Sequence, residues 1–299
     1  MMRPALVAAC VSALLVHSQQ SQQPPEARQL RPQFKTRAEF VRVDTLVTSR
    51  GTSIKGLTSQ DFELRDNGVL QQVTVTDASA LPVDVALALD VSGSVNGLRL
   101  ISLKRAARTL MESLRQGDRA ALVSFSDAVF IESPLSDDFK GLEIKISELM
   151  SGGRTSLRDA AYVAMLQTDP AAGRALVVLF TDGQDVSSFL YDSALADTAK
   201  RVDAVVYSVA LTAAKNSIWN VPQDALLDEL PRATGGRRLS AEDPEKLRDV
   251  FAAIVAEFRQ RYILSYVPNG VDRAGYHALD VRLTKGRKGD VHARPGYLR

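Results

Sequence analysis

The chain has 299 residues, 45% of them hydrophobic and 24% charged, with a net charge of +2. These are values of an ordinary globular protein, and the near-balanced charge gives no case for nucleic acid or an acidic membrane as partner. The single cysteine excludes an intrachain disulfide and any cysteine-based zinc cluster.

Residues 1–20 read as a secretory signal peptide. Arg3 supplies the positive start, and Ala5 to Val16 is an apolar stretch too short to span a bilayer as a helix. Val7-Ala8-Ala9-Cys10 resembles a lipobox, yet the apolar run continues past it. The mature protein is therefore expected outside the cytoplasm, secreted or periplasmic, with no transmembrane segment. Gln19 to about Pro32 is rich in Gln, Pro and Ser, and residues 21–36 read as a disordered linker.

Phe40 to Ala80 reads as short strands. Val41 to Val47 alternates, Arg50-Gly51 makes a turn, and Phe62-Glu63-Leu64-Arg65 precedes the turn Asp66-Asn67-Gly68. From Val83 the pattern changes. Val83 to Asp90 is apolar apart from Asp84 and ends in Asp90-Val91-Ser92-Gly93-Ser94; Leu100, Leu103, Ala107, Leu110 and Leu114 then follow at helical spacing. A second strand is expected at Arg119 to Phe125 with a hairpin partner near Ala128 to Ile131, and helices at Phe139 to Met150 and Leu157 to Leu166. Ala175 to Phe180 is another fully apolar strand, ending at Thr181-Asp182-Gly183; Ala204 to Ala210 is the next, and Pro244 to Phe258, with Asp243 as N-cap, is the last helix. Strand and helix alternate throughout, which predicts an α/β fold with a doubly wound, mostly parallel sheet over 82–258. Tyr262 to Val267 and Leu279 to Leu283 are again of strand type. Neither flank buries enough alone, so 37–81 and 259–299 are expected to pair into one small antiparallel β domain with the α/β domain inserted.

The polar residues at the strand ends carry the chemistry. Asp90, Ser92 and Ser94 alternate and offer a carboxylate and two hydroxyls, hard oxygen donors suited to Mg²⁺, Mn²⁺ or Ca²⁺. In a doubly wound order the first and fourth strands are neighbours at the switch point, which sets Asp182 beside Asp90 and brings Thr155 in from the glycine-rich loop 151–156. Arg154, Gln184 and Asp185 adjoin this crevice as candidate partner contacts, the alternative for the last two being solvated loop residues. Other readings are weaker. Ser92 and Ser94 lack a Gly-x-Ser-x-Gly elbow, and only His277 and His292 lie beyond the signal, both in the tail. A phosphoryl-accepting Asp90 with Asp182 on Mg²⁺, making the protein a metal-assisted hydrolase, explains the serines less well than metal ligation does. A vestigial site in a structural module is the third alternative.

Asp90-Val91-Ser92-Gly93-Ser94, Thr155 within Gly152-Gly153-Arg154-Thr155-Ser156-Leu157-Arg158-Asp159-Ala160, and Thr181-Asp182-Gly183 together resemble the von Willebrand factor type A domain. The resemblance implies a metal-ion-dependent adhesion site: hydroxyls from Ser92, Ser94 and Thr155, Asp90 and Asp182 binding directly or through water, and a partner's carboxylate completing the shell. Arg154 departs from the pattern, in which small or amide residues are common. The flanks, with Gly56-Leu57-Thr58-Ser59-Gln60-Asp61-Phe62 and Ala293-Arg294-Pro295-Gly296-Tyr297, resemble a subgroup of secreted bacterial proteins that carry this domain. The implied protein is a non-enzymatic adhesion or protein-binding module.

Overall fold

The computed structural model describes residues 40–169, 174–211 and 224–299. The signal and linker segments lie outside them, as does Trp219 in the loop 216–222, expected to pack in the core rather than meet a partner. In chain order the strands are β1 Val41–Ser49, β2 Thr52–Ser53, β3 Phe62–Asp66, β4 Val69–Gln71, β5 Thr74–Asp77, β6 Val83–Asp90, β7 Arg119–Phe125, β8 Val129–Ser136, β9 Arg174–Thr181, β10 Ala204–Leu211, β11 Arg238–Ala241, β12 Tyr262–Tyr266, β13 Tyr276–Leu283, β14 Asp290–His292 and β15 Gly296–Leu298. The α-helices are α1 Leu98–Glu112, α2 Phe139–Glu148, α3 Leu157–Leu166, α4 Asp192–Arg201, α5 Leu226–Thr234 and α6 Leu247–Arg259.

The architecture is α/β. Six strands lie in the order β11-β10-β9-β6-β7-β8, all parallel except β8, which returns as a hairpin. Every residue of β6, β9 and β10 is buried, because both faces of the sheet are covered by helices. Side chains alternate across it. Val85, Leu87 and Leu89 of β6 and Leu176, Val178 and Phe180 of β9 join a core roofed by α1, α2 and α6. Ala86, Ala88, Ala175, Val177 and Leu179 face α3, α4 and α5. The small residues on that second side let α3, with Ala160, Ala161 and Ala164, sit close to the strands. Asp84, the one charge in the β6 run, is matched from β7 by Arg119, whose Nε and Nη2 reach its two oxygens at 2.9 and 2.7 Å.

The flanks form two further antiparallel sheets, β14-β1-β12-β5 with β2 beside β1, and β15-β13-β3-β4. Each mixes strands from before and after the α/β segment: Val43 pairs with Leu264, and Leu64 with Val281. Tyr262, Leu264 and Tyr266 share one core with Val43, Val47, Phe62, Leu64, Leu279 and Tyr297. This core is fastened to the α/β segment by buried ions. Asp44 of β1 accepts from Arg174 of β9 at 2.8 Å and from fully buried Arg261, whose guanidinium also reaches Tyr207 and the carbonyls of Gly235 and His292. The tail motif is a second fastening. Arg294 donates to the carbonyls of Ala199 and Lys200 at the C-terminal end of α4, where a cation is favoured. Gly296 follows where an added Cβ would lie 2.4 Å from the carbonyl oxygen of His277.

Four elements differ from expectation. The last helix begins as a 3₁₀ turn, Pro244–Lys246, because Asp243 accepts from the N–H groups of both Glu245 and Lys246 and tightens the start. Helices α4 and α5 and strand β11 were not anticipated: Pro231 lies inside α5, Gly235 ends it in the left-handed region, and β11 has only four residues. Arg287, in the small basic run Arg287-Lys288 that reads as a solvated turn, is exposed and donates to Asp61 at 2.7 Å.

Candidate metal centre at the sheet edge

The site lies where β6 and β9 end side by side. Their register pairs Leu89 with Phe180, which sets Asp90 opposite Thr181. The Thr181 hydroxyl donates to Asp90 Oδ2 at 2.5 Å, and the Ser92 N–H donates to Asp90 Oδ1 at 2.8 Å, so the carboxylate is clamped at the floor with no solvent exposure. Burial pushes the Asp90 carboxyl up to about 6 against these two bonds, and negative Asp182 adds to the rise.

From that floor a line of oxygens runs outward. Ser92 Oγ lies 3.1 Å from Ser94 Oγ, and Ser94 Oγ donates to Asp182 Oδ1 at 2.6 Å. The glycine-rich loop is drawn in by backbone bonds: Gly93 N–H to the Gly153 carbonyl at 2.9 Å and Gly152 N–H to the Val91 carbonyl at 2.8 Å. Gly153 has φ +80°, and a Cβ there would fall 2.3 Å from Asp127 Oδ2, so only glycine fits. Buried Thr155 follows, and its Oγ1 lies 3.7 Å from where a Cβ on Gly183 would stand, beside Asp182. Its carbonyl accepts from Val186 and Ser187, joining the two loops. Asp90, Ser92, Ser94, Thr155 and Asp182 thus line one crevice.

All five offer oxygen. No group of three carboxylate, imidazole or thiolate residues gathers among the described residues, so a coordination shell here would draw on hydroxyls, carbonyls or water beside the two carboxylates. Two carboxylates with neutral hydroxyls fit a hard divalent cation, since each carboxylate oxygen keeps a second lone pair beyond its present bond.

The neighbouring residues divide. Arg154 is exposed; its N–H donates to Asp127 Oδ1 at 3.0 Å and its Nη2 to the Val186 carbonyl at 2.7 Å. Gln184 is exposed at the rim. The Asp185 side chain is turned inward: it accepts from the backbone N–H of Arg158 at 2.8 Å and the Ser188 hydroxyl at 2.5 Å. Burial alone would raise its carboxyl, but these bonds and the Arg158 guanidinium hold it below the usual range. Asp159 accepts from the N–H groups of Phe189 and Leu190 and holds the same loop to α3. One residue went unnoticed in the sequence. Arg99, in the first turn of α1, donates from Nη1 to Asp182 Oδ2 at 2.7 Å and to the Ser94 carbonyl at 3.1 Å. Its only signal was a cation five positions after Ser94, where a helix begins.

The arrangement is a parallel α/β sheet with a cluster of carboxylate and hydroxyl oxygens at its carboxyl edge. Residues 85–184 match the family model of the von Willebrand factor type A domain. A von Willebrand factor type A protein from Catenulispora acidiphila is similar in structure at 14% identity, with 85% of this chain covering 76% of that one and a TM-score of 0.51. Proximal thread matrix protein 1 from the mussel byssus is similar at 15% identity and a TM-score of 0.50, with 66% of this chain covering 51% of that one. At these identities the likeness is one of fold. A comparison with curated proteins finds no match.

Proposed function

We propose that the protein is a metal-dependent protein-binding module. Asp90, Ser92, Ser94, Thr155 and Asp182 hold one divalent ion, Mg²⁺, Mn²⁺ or Ca²⁺, and an acidic side chain of a partner protein takes its open position. The observation that carries this reading is the run of oxygens from Ser92 through Ser94 to Asp182, above the clamped carboxylate of Asp90, with a hydroxyl 2.6 Å from the outer carboxylate. When bound, the ion supplies Lewis acidity for a carboxylate, because hydroxyl ligands add no charge to neutralise it. Nucleophilic catalysis is not supported, since His277 lies buried in the flank core with its Nδ1 2.8 Å from Asp66.

The rim favours a protein partner. Val186, Phe189 and Tyr191, on the loop that follows Asp182, are more than half exposed, an apolar fringe beside the polar crevice. Arg154 and Gln184 stand there as contacts, while Asp185 orients the loop. We read 82–258 as the binding domain, inserted into a β unit of 37–81 and 259–299 that serves as its base, in a protein acting outside the cytoplasm. No helix among the described residues is long and apolar enough to cross a membrane.

The test is capture by immobilised protein from the culture fluid or envelope fraction, with Mg²⁺ or with chelator. Capture should require the ion, and Thr155→Ala should weaken it while moving the unfolding midpoint little. Capture indifferent to both chelator and Thr155→Ala would place binding on another surface.

A further inference from the structure

We propose that Arg99 is a tethered cation that competes with the divalent ion for Asp182, so that loading the site exchanges an internal guanidinium for an external metal. The proposal rests on the reading of this crevice as a metal site. Both oxygens of Asp182 already have partners, Ser94 Oγ at 2.6 Å and Arg99 Nη1 at 2.7 Å. The Asp182 side chain is 2% exposed and that of Arg99 46%, so the guanidinium is the outer member of the pair and can leave into solvent without backbone movement. A second observation concerns the helix. The first turn of α1 contains no acidic residue, and Arg99 brings a positive charge to the end where unpaired N–H groups already repel one. Helix stability gives no reason for a cation there; the bonds to Asp182 and the Ser94 carbonyl do.

The charges work in opposite directions for metal and ligand. Before loading, Arg99 neutralises Asp182. After loading, Asp90 and Asp182 balance a divalent ion, and the released guanidinium leaves one surplus positive charge at the rim. Arg99 therefore opposes the metal and favours an incoming anion, so the site is most attractive to a carboxylate only once it is filled.

The experiment is a calorimetric Mn²⁺ titration of the full chain at low ionic strength and neutral pH, for wild type, Arg99→Gln, Arg99→Lys and Asp182→Ala. Arg99→Gln should bind Mn²⁺ about three- to tenfold more tightly than wild type, the range expected for losing one partly exposed competing charge. Arg99→Lys keeps the charge and should stay within about twofold of wild type. In chelator, Arg99→Gln should unfold at a lower temperature than wild type, and Mn²⁺ should raise it by a larger increment. Equal or weaker binding by Arg99→Gln, or equal tightening in Arg99→Lys, overturns the proposal while leaving the metal site standing. Absence of Mn²⁺ binding in every variant overturns both, a different result from equal binding.

Discussion

Asp90→Asn should make the metal-free protein more stable at neutral pH, although it removes a residue at the centre of the site. The buried carboxyl titrates at about 6 against an ordinary 3.8. That gap corresponds to roughly 3 kcal/mol of disfavour for the charged form in the folded protein. The sign follows from proton counting. Below about pH 4 the carboxyl is protonated in both states and costs nothing. Between there and pH 6 the unfolded chain releases its proton while the folded one retains it, so stability falls as pH rises; above 6 the full penalty is present. Asparagine carries no such penalty. Its oxygen still accepts the Ser92 N–H, and its amide can donate to Thr181 Oγ1, so about 1 kcal/mol is subtracted for poorer bonds. The net expectation is a gain of about 1–2 kcal/mol at pH 7 in chelator, which falls with pH and reverses to a loss of about 1 kcal/mol near pH 4. Urea unfolding followed by circular dichroism across that range measures it. A variant less stable than wild type at pH 7, or a difference that does not change with pH, would refute the reasoning.

Two further substitutions probe what holds the site in place. Asp44→Asn removes the shared counter-ion of buried Arg174 and Arg261 and should cost about 3 kcal/mol, the low end for a broken buried pair, because Arg261 keeps four other acceptors; the urea midpoint reads it, and an unchanged midpoint would deny the network a structural role. Gly153→Ala forces a Cβ against Asp127 at positive φ and should cost about 1–3 kcal/mol and weaken Mn²⁺ binding, because the loop that delivers Thr155 must shift; calorimetry showing wild-type affinity would separate that loop from the site.

Much of the α/β architecture was legible because burial on both faces writes itself as an uninterrupted run. Val85 to Leu89 and Leu176 to Phe180 cannot be hidden by alternation, and the polar break after each run marks the carboxyl edge where Asp90 and Asp182 stand. The glycine-rich loop was readable as a loop, but that Gly153 is fixed by Asp127 was not, since the contact spans two segments with no shared pattern. Arg99 was invisible for a similar reason. In sequence it is one charge on an amphipathic helix, and only the register of β6 against β9 puts Asp182 within its reach. The flanks show the same boundary. Alternation at Tyr262, Leu264 and Tyr266 announces a buried face, yet it does not say that Leu264 pairs with Val43, nor that Asp44, an ordinary polar position in an alternating strand, sits between two buried guanidiniums. Short elements failed on local chemistry: α5 carries Pro231 within it and is closed by Gly235, so no uninterrupted helical pattern marks it.

The central claim is that one divalent ion sits between the ends of β6 and β9. Its most direct test is the number of Mn²⁺ ions bound per chain, read by calorimetry on wild type and Asp182→Ala at neutral pH. The structure leads us to expect one ion per wild-type chain and none at comparable affinity in Asp182→Ala; equal binding by the two proteins would contradict it.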